Sequence, residues 1–123
     1  IIDFSNLDIE ALHQEMEDIK KEKYPFKVYF SPDISGKDIL NTYYNEPEKQ
    51  VGKKCDAVYS GIMVKSDGSV IPAHGRCYNI TVGNIYKENL MEIWNSSVLK
   101  DLRSNLQKAG GLFPSCNRCC SAI

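Results

Sequence analysis

The 123-residue sequence lacks a charge excess of either sign and lacks a long apolar run. Its 15 Lys and Arg residues against 16 Asp and Glu residues give a formal net charge of −1, which excludes the strongly basic surface of a dedicated nucleic-acid or membrane-surface binder. No apolar stretch approaches the roughly 20 residues needed to cross a bilayer. The chain starts at Ile1 without an initiator Met, a basic leader or a small-residue cleavage site, so we expect it to be part of a longer protein.

The sequence also lacks the common catalytic motifs. It has two histidines, and it shows no paired nucleophile and base, no glycine-rich phosphate loop and no His–Glu metal helix. Hydrophobic residues make up 42% and charged residues 25% of the chain, which is typical of a small globular protein and argues against wholesale disorder. These features favour an accessory domain over a self-sufficient enzyme.

Residues 1–50 contain no cysteine and are predicted to form a helix, a strand and a second helix. A capping box at Ser5–Asp8 precedes apolar residues at helical spacing. The run 26–30 is rich in residues that favour strands, and another capping segment opens the second helix. The polar stretch 45–54 is the best candidate for a domain boundary.

Residues 51–123 are predicted to form a small antiparallel sheet followed by helices. Strand-like residues 58–65 lead into the tight turn Asp67-Gly68, residues 69–72 return, and residues 80–82 are a candidate third strand. Two C-terminal helices, opened by a capping box and closed by a glycine pair, are expected to turn these side chains inward: Leu90, Ile93, Trp94, Val98, Leu99, Leu102 and Leu106. Together these elements indicate an α+β fold with a β/α remnant at the N-terminus.

The five cysteines are the most informative residues, and all lie in the C-terminal part of the chain. An odd number that ends in Cys-x-x-Cys-Cys favours thiolates around a metal in a reducing, cytoplasmic compartment over a secreted disulfide framework. Disulfides and free buried thiols are the alternatives. The cysteines are Cys55, Cys77, Cys116, Cys119 and Cys120.

The predicted hairpin shows how four of these thiols can meet. Cys55 precedes the hairpin and Cys77 follows it, so both thiols are expected near the same end of the sheet. Two helices then return the chain to a cysteine knuckle, residues 114–120, which carries Cys116 and Cys119. The pattern Cys-x21-Cys-x38-Cys-x2-Cys fits a closed tetrahedral zinc site or an iron–sulfur cluster, and spacing does not decide between them.

Residues beside these cysteines have two interpretations each. Cys120 is either a reserve ligand or a small core residue, because adjacent residues rarely both bind one ion. His74 is either a further ligand or a polar surface residue. Arg76 and Arg118 either offset the negative charge of a thiolate centre or are exposed. The aromatic pair Tyr43 and Tyr44 is expected to pack rather than to function.

The C-terminal half resembles a known family. The segments Ser66–Pro72, Val82–Ile85, Leu90–Ser96 and Pro114–Cys119 are similar to the SPASM/twitch extension of radical S-adenosylmethionine enzymes, and the resemblance covers about residues 55–120. In that family the extension follows a partial (β/α)6 barrel and binds auxiliary [4Fe–4S] clusters. The resemblance therefore implies a cluster-binding domain at 51–123, preceded at 1–50 by the last β/α elements of the barrel and a linker.

The resemblance also implies a ligand set. By position, Cys55, Cys116 and Cys119 match family ligands. The next family cysteine usually comes five residues after the hairpin glycine, where this chain has Ala73, and we interpret Cys77 as its substitute. The further cysteines of a two-cluster SPASM domain are missing, which favours the twitch-like form with one [4Fe–4S] cluster.

The radical-generating Cys-x3-Cys-x2-Cys motif does not occur, so S-adenosylmethionine is expected only in the parent enzyme and this chain alone is not expected to be catalytic. The expected partners are the missing radical S-adenosylmethionine barrel and a peptide or small-molecule substrate, whereas nucleic acid and membranes are not expected. The cluster would support electron transfer or substrate positioning, and an isolated fragment would be able to hold zinc or nothing instead. The alternative function is a structural zinc-binding interaction module without a redox role.

Overall fold

The computed structural model describes residues 4–123. This part of the chain contains helices and a three-stranded antiparallel sheet with the strand order β1-β2-β3, which confirms the predicted α+β class. Within the same residues, no helix combines the length and the apolar character needed to cross a membrane. The elements are α1 (Ile9–Lys21), α2 (Lys37–Asn45), α3 (Ala57–Ser60), β1 (Ile62–Val64), β2 (Ser69–Pro72), a 3-10 turn (Gly75–Cys77), β3 (Gly83–Asn84), α4 (Leu90–Trp94), α5 (Ser97–Lys108) and a second 3-10 turn (Pro114–Cys116).

The helices α1 and α2 contact each other and form the N-terminal part of the structure. Asp8 is the N-cap of α1, because its carboxylate accepts a hydrogen bond from the Ala11 N–H at 3.0 Å. The His13 Nδ1–H donates to the main-chain oxygen of Ser35 at 2.9 Å and so holds α1 against the segment before α2. A helix thus follows the predicted capping segment, but its N-cap is Asp8, the last residue of that segment, and not Ser5.

The strand predicted at residues 26–30 does not form, and this prediction is wrong for the chain as described. The run is irregular, and Phe26 and Tyr29 are 66% and 77% exposed. A strand is stable only beside another strand that satisfies its backbone hydrogen bonds, and between residues 4 and 61 the structure contains none.

The central strand of the sheet is β2, with β1 and β3 on either side. The predicted Asp67-Gly68 turn joins β1 to β2, and Gly68 has the left-handed φ of +79° that such a turn requires. Residues 58–60, the start of the first predicted strand, belong to α3 instead. The chain thus makes a tight turn directly after Cys55 and only then enters the sheet.

The third strand lies at Gly83–Asn84 and not at the predicted residues 80–82. Glycine is needed here because α4 crosses closely over the strand. A Cβ atom at Gly83 would lie 2.7 Å from Cγ1 of Ile93, well inside van der Waals contact. Gly83 therefore allows the helix to pack on the sheet.

The capping box that opens α4 forms as predicted. The Asn89 side chain accepts from the Glu92 N–H at 2.9 Å, and the Glu92 carboxylate accepts from the Asn89 N–H at 3.1 Å. The two C-terminal helices bury Ile93, Leu99 and Leu106 as expected.

The predicted buried faces of α4 and α5 are too wide. Leu90 and Val98 are 50% and 52% exposed, so the expectation that they point inward is wrong. Leu90 is in the first turn of α4 and Val98 is in the first turn of α5. Each of these helices turns only a narrow apolar stripe toward the sheet.

The second helix of this pair, α5, is tied to its neighbours by Arg103. The Arg103 Nε–H donates to the main-chain oxygen of Val58 at 2.9 Å. The guanidinium carbon lies 4.2 Å from the centroid of the half-buried Trp94 ring, a distance typical of a cation–π contact. Arg103 therefore connects α5 to α3 and α4.

A glycine pair ends α5 as predicted, and the chain then returns to the region of Cys55. Gly110 and Gly111 have φ values of +79° and +93°. The Gly111 oxygen then accepts a hydrogen bond from the Cys55 N–H at 3.0 Å. We call the buried group around this contact the C-terminal core; its members are Cys55, Val58, Leu106, Leu112 and Ala122.

Candidate metal centre

Three of the five cysteines lie at the C-terminal core. Cys55 is one of its buried members, with 8% of its surface exposed, and Cys116 and Cys119 pack against the group. All five cysteines, including the half-buried Cys77, are free thiols. The disulfide alternative is therefore not realised.

The thiol of Cys77 is close enough to interact electrostatically with the thiols of Cys55, Cys116 and Cys119. Burial raises the pKa of the Cys77 thiol most strongly, and a hydrogen bond from the main-chain N–H of His74 acts in the opposite direction. The charges of Cys116, Cys55 and Cys119 raise that pKa further. A cation bound among these thiols would offset the repulsion between their thiolate forms.

Tight turns hold the backbone of three of these cysteines. The Cys77 N–H donates to the His74 oxygen at 2.8 Å in the first 3-10 turn. In the knuckle, the Cys116 N–H donates to the Phe113 oxygen and the Cys119 N–H to the Cys116 oxygen, each at 2.9 Å. The two successive turns place Cys116 and Cys119 together on the side of the C-terminal core.

The thiols are neighbours but do not converge on a point. Among residues 4–123, no group of three or more His, Cys, Asp or Glu side chains has the geometry that holds a single metal ion. A tetrahedral zinc ion with Zn–S distances of about 2.3 Å requires such convergence. In an iron–sulfur cluster each cysteine binds a different iron, which calls for a wider arrangement of the same four sulfurs.

The residues beside the thiols take different positions. Cys120 is exposed, so the interpretation of it as a small core residue is wrong. Arg76 is also exposed. His74 is half-buried, and its Nε2 lies 3.3 Å from the Sγ atom of Cys119. His74, in the loop that follows the hairpin, is therefore in direct contact with the thiol of Cys119.

The arrangement of the cysteines agrees with a comparison of the whole chain with known families. A family model described as the SPASM iron-sulfur cluster-binding domain matches residues 55–120, more than half of the chain. The chain belongs to the SPASM family. Membership implies that it binds an iron–sulfur cluster, and the match begins at Cys55 and extends just past Cys119. No curated protein and no solved structure matches the chain significantly.

The SPASM segment is anchored to the preceding helix by Arg118, which lies between two cysteines of the knuckle. Its guanidinium is 5.3 Å from the ring centroid of Tyr43 and caps the end of α2, where carbonyl groups lack helical partners. It donates at 2.8–3.0 Å to four main-chain oxygens, those of Thr42, Tyr43, Glu46 and Lys49. The hydrogen bonds of Arg118 therefore all go to main-chain oxygens of residues 42–49.

Sequence reasoning missed this role of Arg118 because its acceptors lie 69 to 76 residues earlier in the chain. Main-chain oxygens carry no sequence signature, so nothing near the knuckle could have indicated the contact. The packing role predicted for Tyr43 and Tyr44 is confirmed, since their ring centroids are 5.0 Å apart.

Asn117 extends the same attachment. Its Nδ2–H donates to the Lys49 oxygen and its Oδ1 accepts from the Val51 N–H, both at 2.7 Å. Its main-chain oxygen accepts from the Gly52 N–H at 3.2 Å. The two residues between Cys116 and Cys119 thus fasten the knuckle to residues 42–52.

The position where the SPASM resemblance places a cysteine is occupied by Ala73. This residue packs against the C-terminal core beside Cys116 and Cys119, and its backbone has a left-handed φ of +59°. The 3-10 turn that follows carries the chain to Cys77. The side chain at 73 therefore faces the thiol group without contributing a ligand.

Proposed function

We propose that this chain binds one [4Fe–4S] cluster through the thiolates of Cys55, Cys77, Cys116 and Cys119, as the auxiliary-cluster domain of a radical S-adenosylmethionine enzyme. The observation that carries the proposal is the gathering of three free thiols at one apolar core inside the SPASM match, with the Cys77 thiol within electrostatic reach of all three. In the parent enzyme, the cluster would transfer electrons or position the substrate.

The chemistry of the donor set supports a cluster. Four thiolates are the usual ligands of a [4Fe–4S] cluster, and the family is described as iron–sulfur binding. The buried side chains around Cys55 would keep water from one side of the cluster, and this burial is one determinant of reduction potential.

The position of Cys77 supports its role as the fourth ligand. Its thiol senses the charges of the other three proposed ligands. Ala73, at the usual ligand position, packs on the same core, so a turn of a few residues is enough to move the donor from one position to the other. We therefore expect that the ligand can shift from position 73 to position 77 without a change in the rest of the site.

The proposal assigns residues 1–50 to the end of the radical S-adenosylmethionine barrel and the linker, and residues 51–123 to the cluster-binding domain. The exposed Phe26 and Tyr29 support this division, because a strand-forming run without a partner is what a barrel strand separated from its neighbours would be. The substrate of the parent would be a peptide or small molecule. Five free thiols support a reducing, cytoplasmic location.

The test is anaerobic reconstitution with iron and sulfide. The wild-type chain is expected to turn brown and to hold about four iron and four sulfide per chain. Cys77→Ser, Cys116→Ser and Cys119→Ser are each expected to lose most of the bound iron, because each removes one of four ligands. Cys120→Ser is the matched control, and it is expected to retain the wild-type iron content because Cys120 is exposed.

A rescue variant tests the fourth ligand directly. Combining Ala73→Cys with Cys77→Ser is expected to restore iron that Cys77→Ser loses, since residue 73 packs on the same core. Equal iron loss in the Cys120→Ser control would contradict the ligand set. A colourless protein with stoichiometric zinc and no iron after the same treatment would support the zinc-binding module instead.

A further inference from the structure

His74 contacts two of the four proposed ligand residues at once. Its ring nitrogen Nε2 is 3.3 Å from Cys119 Sγ, and its main-chain oxygen accepts a hydrogen bond from the Cys77 N–H at 2.8 Å. Cys77 and Cys119 come from two turns that are distant in sequence. One residue of the loop after the hairpin therefore connects the turn that carries Cys77 with a thiol of the knuckle.

The other ring nitrogen shows where the imidazole proton is. The main-chain N–H of Arg76 donates to Nδ1 of His74 at 3.2 Å. Because Nδ1 accepts this hydrogen bond, it carries no proton, and the proton of the neutral ring is on Nε2. The Nε2–H group therefore points at Cys119 Sγ as a donor.

This arrangement separates a hydrogen-bond donor from a metal ligand. A histidine that binds metal through one ring nitrogen almost always donates a hydrogen bond from the other. In His74, the nitrogen away from the thiols faces an N–H group and accepts. Binding a metal through Nε2 would need a ring without any proton, or a turn that reorganises around Arg76.

We propose that His74 is a positioning residue whose Nε2–H donates a hydrogen bond to Cys119 Sγ and withdraws electron density from that ligand. This inference rests on the proposed cluster at the four thiols. A hydrogen bond to a ligand sulfur stabilises the more negative, reduced form of a cluster, so it raises the reduction potential. The same hydrogen bond holds the Cys119 side chain toward the loop that follows the hairpin.

The test compares three variants of the 123-residue chain after anaerobic reconstitution. His74→Ala removes the donor, and His74→Gln offers an amide N–H in its place. Arg76→Ala alters an exposed side chain of the same turn while leaving its main-chain N–H in place. The readouts are iron content and the midpoint potential of the cluster, measured by redox titration with electron paramagnetic resonance detection.

We expect His74→Ala to keep its iron and to shift the midpoint potential to a more negative value. His74→Gln is expected to move the potential back toward that of the wild type, and Arg76→Ala to leave it unchanged. An unchanged potential in His74→Ala would overturn the inference. The same shift in Arg76→Ala would also overturn it, since a loss of loop structure would then explain the effect.

A measurement on the wild-type chain avoids any folding defect of the variants. With 15N-labelled histidine, a donor is expected to give only weak magnetic coupling to the cluster, because no bond joins the nitrogen to iron. Strong coupling from a directly bonded nitrogen would make His74 a ligand and overturn the inference. A wild-type chain that forms no cluster would overturn the proposed function itself, which is a different result from a cluster insensitive to His74.

Discussion

At the scale of single residues, two arginines beside cysteines have different surroundings. Arg118 donates to four main-chain oxygens and stacks near Tyr43. Arg76 lies next to Cys77 with its side chain exposed. Hydrogen bonds from a charged group contribute more than neutral ones, and several from one rigid guanidinium lose less side-chain entropy than separate bonds do. Adjacency to a cysteine in sequence therefore does not indicate what an arginine contacts.

The first prediction follows from this difference. Arg118→Ala is expected to lower the free energy of unfolding by about 2–4 kcal/mol, because it leaves the end of α2 uncapped. Arg76→Ala is the matched control, with an expected change within about 0.5 kcal/mol. Urea denaturation of the reconstituted chain measures both. A loss of unfolding free energy for Arg118→Ala no larger than that for Arg76→Ala would show that the capping contacts of Arg118 do not stabilise the fold.

At the scale of elements, local signals were sufficient where structure is set within a few residues. The Asp67-Gly68 turn, the Asn89–Glu92 capping box and the closing glycine pair form as predicted because their causes are neighbours in the chain. The predicted strand at 26–30 and the bounds of the third strand are wrong because strand formation depends on partners distant in sequence. The close contact of Gly83 with α4 likewise has no local signature.

The same limit applies to the candidate site. The cysteine spacing and the hairpin predict that Cys55, Cys77, Cys116 and Cys119 come together, and the structure packs Cys55, Cys116 and Cys119 at one core. The hydrogen bond of His74 depends on the tilt of a loop, which spacing does not determine. Residue types and order therefore indicate which thiols are candidates, while the contacts that orient them required the structure.

Gly83→Ala tests the packing of α4 on the sheet. The added Cβ atom would lie 2.7–3.1 Å from three side-chain carbons of Ile93, and overpacking of this kind typically costs about 1–3 kcal/mol. We expect a lower thermal midpoint for this variant. Gly61→Ala is the control, since no atom lies within 4 Å of its added Cβ, and its midpoint is expected to stay close to that of the wild type. A wild-type midpoint for Gly83→Ala would mean that α4 does not pack this closely.

At the scale of the whole molecule, the thiol site and the attachment to α2 share one short segment. Asn117 and Arg118 stand between Cys116 and Cys119, and they hold residues 42–52. A ligand bound by the two cysteines fixes the same backbone that carries these hydrogen bonds. Occupancy of the site and order in the segment before it are therefore expected to change together.

Hydrogen exchange before and after removal of the cluster measures this coupling. Structural thiolate sites contribute on the order of 10 kcal/mol to folding, so cluster loss is expected to increase amide exchange at residues 110–123 and also at 43–53. The α1 amides 13–21, whose hydrogen bonds are within the helix, are expected to change much less. An increase confined to 110–123 would contradict the coupling.

The hydrogen bonds between Cys55 and Gly111 and between Lys53 and Ala122 join the two ends of the segment that the family covers. During translation, Cys55 and Cys77 emerge from the ribosome well before the knuckle exists, and a nascent chain at that stage offers at most half of the donor set. Loading must then wait until the last turn has been synthesised and has folded back. Truncated products would stay colourless, and only chains that contain the knuckle would take up iron.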